Sequence, residues 1–464
     1  MLVNLPDEVG EILQKVEKAG FKIYIVGGAV RDILMGKIVY DWDFTSNATP
    51  QDLLKIFPNA FYDNKYGTVG IPAKKEGERP YEITTFRREY SYSDARRPDK
   101  VHWGKSLEED LKRRDFTINA MALKKEGLRI KKQSLGRLEI EFQLIDLYNG
   151  QKDLQKKLIR AVGNPLERFS EDALRMMRAV RIGAELGFKI EEKTLNAIKQ
   201  NVSLINKISR ERIRDELLKI LKSPAPYEGM LLFRESGLMQ EIIPEMEKTF
   251  GVDQKSPGRH HIYDVGTHSL LSLKACPSTD PIVRFATLIH DIGKPQTYKK
   301  HKNKVITFYN HEIVSARIAK QIADRLRFSN KQKEKLVTLV RWHQFSVDEK
   351  QTDSAIRRFI RRVGLENIED ILALRIGDRL GGGASETSWR LEEFKKRLIE
   401  VQKQPFTVHD LKITGHDVMR ELDIKPSPRV GEVLQKLFEE VLEQKLPNEK
   451  EALLKRLQEL KELS

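Results

Sequence analysis

The stretch IYIVGGAVRDILMG occupies residues 23–36 and decides how the N-terminal part of the chain folds. Its first four residues are β-branched or aromatic, which predicts a buried strand, and the residues after Gly27 and Gly28 predict a helix beginning at Ala29. Two glycines between a strand and a helix allow a phosphate to approach backbone N–H groups and the positive helix end. Because many such turns bind nothing, a purely structural turn is the alternative.

The next segment, YDWDFTSNA at residues 40–48, places the carboxylates of Asp41 and Asp43 two positions apart. Side chains at i and i+2 of a strand share a face, so both carboxylates should project together while Trp42 packs on the other side. Adjacent carboxylates repel unless a cation lies between them, and their hard oxygens suit Mg²⁺. A lone pair of this kind is common on loops. Glu82, in the alternating segment YEITTFR, would complete an acidic triad if its strand lay beside the first.

The segment KRRDFTINAMAL at residues 112–123 combines cations with polar side chains ahead of an apolar run. Arg114, Asp115 and Asn119, with Arg113 beside them, suit a bound triphosphate and its ribose. The alternative is a helix start with Asp115 as its N-cap, which leaves the arginines unexplained. Between this segment and Glu82, residues 87–104 are basic and without periodicity, which predicts a mobile loop over the site.

Asp172 and Arg175 lie in FSEDALRMMRAVRIG, residues 169–183, where Leu174, Met177 and Val180 predict a helix. Spacing of i and i+3 on one helix face would set a carboxylate acceptor beside a guanidinium donor. Cytosine and adenine both present an amino group beside a ring-nitrogen acceptor, whereas uracil and guanine present the opposite order. The pair therefore favours C and A. The alternative is a surface ion pair stabilising the helix by about 0.3 kcal/mol.

Histidines cluster farther along the chain, where seven of the ten fall between residues 260 and 343. With neighbouring acids they form an ordered set of metal-ligand types: His268, His290, Asp291, His311, His343 and Asp378. Imidazoles and carboxylates together suit Mn²⁺, Fe²⁺, Ni²⁺, Zn²⁺ or Mg²⁺, and ligand softness does not separate these ions.

Charge and cysteine content narrow the class of protein. Lys and Arg exceed Asp and Glu by 83 − 68 = 15, which favours a polyanionic partner such as nucleic acid. The alternative is a surface that is rich in Lys and Glu and has no such partner. A single cysteine, Cys276, excludes an internal disulfide and a cysteine-based zinc cluster. No run of 18 apolar residues occurs, and the first 20 residues predict an amphipathic helix rather than a signal peptide. We therefore expect a cytoplasmic protein without membrane association.

The 464 residues predict several structural units. Short β-branched runs mixed with helical patches predict an α/β (α+β) head, and from about residue 156 the apolar period becomes helical. We expect four segments: a head at 1–155, a helical neck at 156–235, a metal-binding body at 236–380 and a helical tail at 381–464.

The motifs GGAVRD, DWDF, EITTFR, RRDFTINA, DLYNGQKDL and EDALRMMRAVR, in this order, resemble the class II tRNA nucleotidyltransferase and bacterial poly(A) polymerase family. The resemblance covers roughly residues 20–222 and implies a polymerase-β-like head. It implies that Asp41 and Asp43 are catalytic Mg²⁺ ligands and that Arg212 and Glu216 are structural, while the alternating strand pattern adds Glu82 as a third expected catalytic acid. The resemblance also implies that Arg114, Asp115 and Asn119 hold the nucleotide, that Asp172 and Arg175 pair with the base, and that Arg178 lies near the triphosphate or base. Gly27, Gly28 and Arg31, at the glycine turn, are the other expected nucleotide-binding residues.

The histidine-rich body resembles an HD phosphohydrolase domain, which implies a second divalent metal and hydrolysis of phosphoesters. The alternative is a helical scaffold that binds metal without turnover. His260, His261 and His301 fall outside the pattern. The tail from about Phe406 resembles the segment behind HD domains in CCA-adding enzymes, which implies a tRNA-binding platform by analogy alone.

Together these features predict Mg²⁺-dependent, template-independent addition of CCA to the 3′ end of tRNA from CTP and ATP. A CC-adding, A-adding or poly(A)-adding enzyme of the same family is the nearest alternative. An HD phosphohydrolase whose N-terminal half only binds RNA is the alternative from another class. The expected partners are tRNA, CTP and ATP, with no membrane and no obligate protein partner.

Overall fold

A computed structural model describes most of the chain. The described residues are 1–64, 67–75, 77, 79–90, 100–104, 106–126, 131–133, 137–255, 263–302, 305–345, 352–401, 408–443 and 445–462. The chain forms two compact units, one of Met1–Glu247 with Arg325–Arg327 and one of Lys248–Asp324 with Phe328–Ser464.

The first unit begins with the head, which is built on one mixed sheet. The strands of the head are β1 (Leu2–Pro6), β2 (Ile23–Val26), β3 (Asp43–Ser46), β4 (Phe61–Asn64), β5 (Thr68–Ile71), β6 (Tyr81–Thr85), β7 (Arg87–Tyr90), β8 (Lys100–Trp103), β9 (Met121–Lys125), β10 (Lys131–Gln133) and β11 (Arg137–Asp146), of which β7 and β8 lie outside this sheet. The order across the sheet is β1-β11-β9-β2-β3-β6-β5-β4, with β10 paired to β11. Strands β3 and β6 run parallel, whereas the other described neighbours in this sheet are antiparallel.

Both faces of the sheet carry buried apolar residues. The head helices are α1 (Asp7–Lys18), α2 (Gly28–Leu34), α3 (Pro50–Ile56), α4 (Leu107–Lys112) and α5 (Gly150–Gln155). The larger core includes Trp42, Phe44 and Ile83. A smaller core includes Val26 and Phe86. Because successive strand residues alternate between faces, this arrangement directs Asp43 away from the larger core.

Two expectations for the head are wrong in part. Residues 2–6 form β1 rather than the start of a helix, because Val3 and Leu5 alternate into the core while β1 pairs with β11. The 87–104 segment is not without regular structure, since β7 and β8 pair with each other as an antiparallel ribbon. The tip of that predicted mobile loop, residues 91–99, lies outside the described residues.

The rest of the first unit is helical apart from the short parallel pair β12 (Leu158–Ile159) and β13 (Lys189–Ile190). Its helices are α6 (Pro165–Glu171), α7 (Leu174–Leu186), α8 (Glu192–Asn201), α9 (Arg210–Lys222), α10 (Pro226–Glu235), α11 (Leu238–Ile242) and α12 (Pro244–Glu247). Helix α7 buries Leu174, Met177 and Val180, as its periodicity predicts. An ion pair between Arg181 and Glu216 joins α7 to α9, with 2.7 Å from Nε to Oε2.

The described residues of the second unit are also mainly helical, and the short antiparallel strands β14 (Lys299–Lys300) and β15 (Ile306–Thr307) pair with each other. Its helices are α13 (Val265–Ala275), α14 (Pro281–Ile289), α15 (Lys294–Thr297), α16 (His311–Arg325), α17 (Asn330–Trp342), α18 (Asp353–Val363), α19 (Ile368–Gly381), α20 (Trp389–Val401), α21 (Gly415–Leu422), α22 (Pro428–Leu442) and α23 (Lys450–Glu462). Helices α21 to α23 surround a separate core that includes Val418, Phe438 and Leu457. The predicted fold class, an α/β head followed by helical segments, is confirmed.

Within the described residues, none of the helices combines the length and the apolar content that a bilayer crossing requires.

Replacing Glu216 by alanine should lower the free energy of unfolding by about 3 kcal/mol, because it leaves the guanidinium of Arg181 without a buried partner. The Glu216 side chain is only 5% exposed. Arg181 and Lys219 outweigh burial and lower the pKa of Glu216 below 4.5. Its stabilising effect is therefore complete above pH 4.5 and declines as the pH falls through the lowered pKa.

Glu185→Ala is the matched control, since Glu185 also pairs with Arg181 but its side chain is 33% exposed. It should cost about 0.5 kcal/mol. Urea unfolding of both variants measures the difference. Equal decreases in the free energy of unfolding would show that burial of Glu216 adds nothing to its ion pair with Arg181.

Candidate active sites

The head brings two of its predicted catalytic acids side by side. Asp43 on β3 is the register partner of Glu82 on the parallel strand β6, so their side chains leave the same face of the sheet. Asp41 lies two residues before Asp43, is 57% exposed at its side chain and accepts a hydrogen bond from Arg79 at 3.3 Å. The expectation that the strand of Glu82 lies beside the first acidic strand is confirmed.

Asp43 has a pKa that is shifted from its usual value. Burial raises its pKa to about 6, and the charge of Asp41 adds to that rise, while Arg114 and Arg178 oppose it. A carboxylate whose pKa is raised by burial and by a neighbouring carboxylate would be stabilised in its charged form by a divalent cation. The donor set of carboxylate oxygens therefore fits Mg²⁺.

The glycine turn packs directly against this acid. Gly27 has φ of +72°, and a Cβ built there would lie 3.1 Å from Oδ2 of Asp43 and 3.2 Å from Nη1 of Arg114. Only glycine takes such a backbone angle without strain while leaving room for both side chains. The turn between β2 and α2 therefore brings together the glycines, the buried acid and one predicted phosphate-binding arginine.

Other predicted nucleotide-binding residues are held by hydrogen bonds around this turn. Arg31 donates from Nη1 to the side-chain oxygen of Asn119 at 3.0 Å. Arg113 and Arg114 donate to opposite oxygens of Asp110, at 2.7 and 3.1 Å. Asp110 is fully buried, and although burial opposes its charge, the two arginines hold its pKa below the usual value. Sequence reasoning missed Asp110. Arg113 and Arg114 lie three and four residues after it, a spacing at which side chains on a helix can form ion pairs.

Asp115 is paired with Arg178 rather than being a helix cap. Its Oδ2 accepts from Nε and Nη2 of Arg178 at 2.8 and 2.6 Å. The short 3₁₀ turn that follows, Thr117–Asn119, has Phe116 at its N-cap position, so the alternative of Asp115 as N-cap is wrong. The ion pair raises the pKa of Arg178 and lowers that of Asp115, in each case against the opposing effect of burial.

The predicted base-pairing residues do not share one helix face. Asp172 lies before α7 in an extended conformation, with φ of −141°, because its Oδ1 accepts from the N–H of Leu174 in a local turn. Its Oδ2 accepts from Arg212 at 3.1 Å. Arg175, in α7, donates instead to Glu171 at 2.6 Å and to the carbonyl of Arg113 at 2.9 Å. The expected i and i+3 placement on a helix is therefore wrong, although the side chain of Arg175 contacts the segment that begins at Arg113.

The second unit collects all six predicted metal-ligand residues of the body into one buried cluster. They separate into two groups with ligand atoms mutually within 4.8 Å, one of His268, His290 and Asp378 and one of Asp291, His311 and His343. Asp291 faces both groups, since its Oδ1 lies 3.3 Å from Nε2 of His311 and its Oδ2 lies 3.2 Å from Nε2 of His290.

Three of the imidazoles are oriented by backbone carbonyls close to them in sequence. Nδ1 of His290, His311 and His343 each donates to the carbonyl three residues earlier, at 2.7, 2.8 and 2.8 Å. With hydrogen on Nδ1, each ring directs Nε2 into the cluster, as metal-ligating histidines commonly do. The Nε2 atoms of His311 and His343 approach to 3.3 Å, where two lone pairs repel unless a proton or a cation lies between them.

The charges in the cluster suit ligands. Burial opposes ionisation of Asp291, but His290 and Lys294 hold its pKa well below the usual value. Burial lowers the pKa of His343 to about 3, so this imidazole is neutral at pH 7. Burial also works against protonation of His290, yet Asp291 and Asp378 raise its pKa to about 10. A cation bound at Nε2 of His290 has to replace that proton.

Sequence reasoning missed the cationic groups beside the cluster. Lys294 contacts Oδ2 of Asp291 at 2.6 Å and donates to the side chain of Gln254 at 2.9 Å. Arg375 contacts Oδ2 of Asp378 at 3.1 Å, one turn earlier on α19. Sequence spacing could have revealed both cations, because Lys294 and Arg375 each lie three residues from the predicted metal ligand that they contact. Of the histidines outside the pattern, His301 contacts Oγ1 of Thr307 at 3.0 Å, whereas His260 and His261 lie outside the described residues.

Comparison with known proteins connects these sites to a family. Three family profiles match: the poly A polymerase head domain at residues 23–160, the probable RNA and SrmB-binding site of polymerase A at 187–250, and the putative tRNA nucleotidyltransferase domain 2 at 300–457. A CCA-adding enzyme of Ligilactobacillus salivarius is 35% identical over 463 residues, covering 99% of this chain and 98% of the relative. The chain belongs to the family of CCA-adding enzymes.

Solved structures agree with this assignment. The Bacillus stearothermophilus CCA-adding enzyme in complex with CTP is 28% identical, has a TM-score of 0.71, and is matched over 98% of this chain and 97% of that one. A Thermotoga maritima CCA-adding enzyme complexed with tRNA shares the fold over the full length of both chains, with 20% identity and a TM-score of 0.57. As a CCA-adding enzyme family member, the chain is a nucleotidyltransferase.

Gly27→Ala should reduce nucleotidyl transfer at least tenfold, because the new methyl group displaces Asp43 or Arg114 and strains the turn. Gly36→Ala is the matched control: Gly36 also has a positive φ, of +66°, but a Cβ there meets no atom within 4 Å. Both substitutions should cost about 1 kcal/mol of stability. Initial rates and thermal unfolding of both variants separate the effects, and equal loss of rate would show that backbone strain alone matters.

Proposed function

We propose that this chain completes the 3′ end of tRNA by adding C, C and A from CTP and ATP without a template. Full-length similarity to CCA-adding enzymes carries this conclusion, because the head and the helices behind it match together rather than one alone. The retained acids at the β3–β6 junction support catalysis and disfavour the alternative in which the N-terminal half only binds RNA.

Asp41, Asp43 and Glu82 are the proposed Mg²⁺ ligands. When bound, the metal supplies charge that activates the tRNA 3′-hydroxyl and stabilises the departing pyrophosphate. The protein contributes the position of these acids: the register of β3 and β6 fixes Asp43 and Glu82, and the Gly27 turn leaves space above Asp43. Burial of Asp43 also favours cation binding, because its carboxylate gains more from a nearby positive charge than one in water.

The nucleotide is proposed to bind between the turn and the segment from Arg113 to Asn119. Gly27 and Gly28 allow close approach of the phosphates, and Arg31 and Arg114 supply positive charge. Their bonds to Asn119 and Asp110 hold both guanidiniums in place before the triphosphate arrives. Asp115 helps to hold the segment from Arg113 to Asn119 in place through its ion pair with Arg178.

Base choice is proposed to rest with Asp172 and Arg175. Asp172 is fixed by the N–H of Leu174 and by Arg212, and each of its oxygens has a second lone pair for an amino group. Arg175 is fixed by Glu171 and the carbonyl of Arg113, which places the base-selecting guanidinium next to the proposed nucleotide site. These local bonds replace the shared helix face as the means of holding the pair.

The finer organisation is proposed in the same terms. The head is assigned to 1–155, the neck to 156–235, the HD body to 236–380 and a tRNA-binding tail to 381–464. The separate apolar core of α21 to α23 supports a distinct tail. Cytoplasmic location, expected from the single cysteine, stays a prediction.

Three tRNA transcripts, ending at the discriminator base, at C and at CC, test the principal function with each labelled NTP and Mg²⁺. We expect C, C and then A to be added, after which addition stops. Asp43→Asn should reduce addition at least a hundredfold while tRNA affinity is retained, because the amide removes a metal-binding charge at nearly constant shape. C alone, A alone on the CC transcript, or a continuing A tail would establish one of the narrower alternatives.

A second proposed activity is metal-dependent hydrolysis of phosphoesters in the body. The convergence of Nε2 atoms on Asp291 carries this proposal, because the lone pairs of His311 and His343 require a positive charge between them. The two ligand groups, one of which contains Asp291, would each hold a divalent cation. Such ions supply an activated water as nucleophile when bound. At an RNA end this activity would remove a terminal or 2′,3′-cyclic phosphate and allow addition to begin.

His311→Ala should lower the bound Mn²⁺ or Ni²⁺ and abolish release of phosphate from RNA ends, with CCA addition unchanged. His301→Ala is the control, because His301 contacts Thr307 and lies outside the cluster. Elemental analysis after metal loading and a phosphate-release assay measure both effects. Normal metal content in the His311 variant would contradict the ligand set, whereas metal binding without turnover in wild type would establish the scaffold alternative.

A further inference from the structure

Two backbone hydrogen bonds join the proposed nucleotide-binding segment to a second, antiparallel stretch of the chain. The N–H of Thr117 donates to the carbonyl of Arg160 at 2.9 Å, and the N–H of Val162 donates to the carbonyl of Asp115 at 3.0 Å. Because the paired stretch is bonded at both ends, a displacement of Arg160 would be transmitted to Asp115 and Thr117.

The side chain of Thr117 extends this connection to helix α5. Its Oγ1 donates to Oδ2 of Asp153 at 2.8 Å, and the same carboxylate oxygen accepts from Nε of Arg160 at 2.9 Å. Thr117 and Asp153 are both buried, so leaving either of them without its partner would cost free energy. Asp153 thus joins the threonine of the segment to the guanidinium of Arg160.

The other side of this guanidinium contacts the start of helix α8. Nη1 of Arg160 donates to Glu191, whose Oε2 accepts from Oγ1 of Thr194 at 2.8 Å. The buried Oγ1 of Thr194 in turn accepts from the N–H of Ala161 at 3.2 Å. These bonds lead back to the residue that follows Arg160, so they form a closed ring. The guanidinium is therefore held between α5 and the residue at the N-cap position of α8.

Two carboxylates share this one cation, since Asp153 and Glu191 contact different nitrogens of Arg160. Without the guanidinium their like charges would repel each other, and the buried Asp153 would lack its ion-pair partner. A lysine supplies its charge at a single point and cannot reproduce a planar fork that meets two acceptors. The arrangement therefore requires an arginine rather than any cation.

The segment held in this way carries two residues that are proposed to bind the nucleotide. Asp115 and Asn119 lie two residues before and two residues after Thr117, and each is bonded to an arginine side chain. Thr117 begins the short 3₁₀ turn that ends at Asn119. Displacing Thr117 would therefore displace both nucleotide-binding side chains.

We propose that Arg160 is a positioning residue for nucleotide addition, and that it holds the proposed nucleotide-binding segment in place through Asp153 and Thr117. The inference rests on the proposed function, because this segment is the one assigned to CTP and ATP. It adds a residue that acts on the nucleotide site through other residues. The alternative is a purely stabilising role, in which a substitution lowers the amount of folded enzyme and leaves its affinity for nucleotide unchanged.

Arg160→Met removes the guanidinium and keeps a long side chain. We expect KM for CTP and ATP to rise about tenfold and kcat to change less than about threefold, because misplaced binding residues weaken ground-state and transition-state binding alike. KM for tRNA should stay within about twofold of the wild-type value. Steady-state kinetics below the unfolding temperature of each variant measure these constants.

The hydroxyl of Thr117 allows a sharper test. Thr117→Val removes the hydroxyl at nearly constant shape, whereas Thr117→Ser keeps it. We expect Thr117→Val to raise KM for nucleotide as Arg160→Met does, and Thr117→Ser to stay within about twofold of wild type. In the double variant with Arg160→Met, the rise should be smaller than the product of the two single effects, because both substitutions interrupt the same path.

Arg234→Met is the matched control. Arg234 pairs with Glu247 at 2.9 Å in the same unit, and its side chain is 39% exposed, as is that of Arg160. This variant should keep wild-type KM values. Unchanged nucleotide KM in Arg160→Met, or an equal rise in Arg234→Met, would establish the purely stabilising role and overturn the proposal. A rise in KM for tRNA alone would assign Arg160 to tRNA binding, which also overturns it.

Calorimetric titration of the full-length proteins with CTP or ATP and Mg²⁺ separates this inference from the proposed function. A wild type that adds C, C and A but binds nucleotide no more tightly than Arg160→Met would refute only the role of Arg160. A wild type that makes one of the narrower products, with nucleotide binding still weakened by Arg160→Met, would refute only the assignment of complete CCA addition.

Discussion

Burial of a carboxylate against a turn that has no side chain is the constraint on which the head depends. Asp43 lies at the start of β3, beside the end of β2, and Gly27 leaves the space that Oδ2 of Asp43 and Nη1 of Arg114 fill. The apolar partners of the same strands, Phe44 and Ile83, fill the core behind. Burying the carboxylate of Asp43 costs free energy, and the nearby Arg114 offsets only part of that cost. A further positive charge beside Asp43 would therefore be bound favourably.

Arginine side chains connect the segment beside this turn to the helices. Arg175 donates to the carbonyl of Arg113, and Arg178 pairs with Asp115, so α7 is tied at two points to the segment beside the turn. Asp110 neutralises the opposite side of that segment. The residues proposed to select the base, bind the phosphates and hold the metal thereby belong to one connected set of charges within the first unit.

Sequence reasoning located most of these residues because strand alternation and local spacing are properties of the chain itself. The approach of Glu82 to Asp43 was predictable from the alternating pattern of YEITTFR, and the buried face of α7 from its apolar period. The break before α7 was missed, because a side-chain cap at Leu174 competes with a helical pattern that continues through Asp172. The strand Leu2–Pro6 was missed for another reason, since its partner β11 lies more than 130 residues away. Nothing in the local pattern reveals such a distant partner, and the same holds for the contact of Arg181 with Glu216.

Three histidine rings of the body are oriented by backbone carbonyls close to them in sequence, two in the helix that ends just before the histidine and one in the turn before α16. His290, His311 and His343 each use the peptide oxygen three residues earlier, so tautomer and ring direction are established wherever the helix ends are formed. For the metal site proposed in this unit, folding and metal binding would therefore be separable events. An ion that enters meets ligands already ordered and pays little conformational entropy. By the same logic, a lineage could exchange one metal for another, or lose a ligand, while the helices that carry the remaining rings keep their packing.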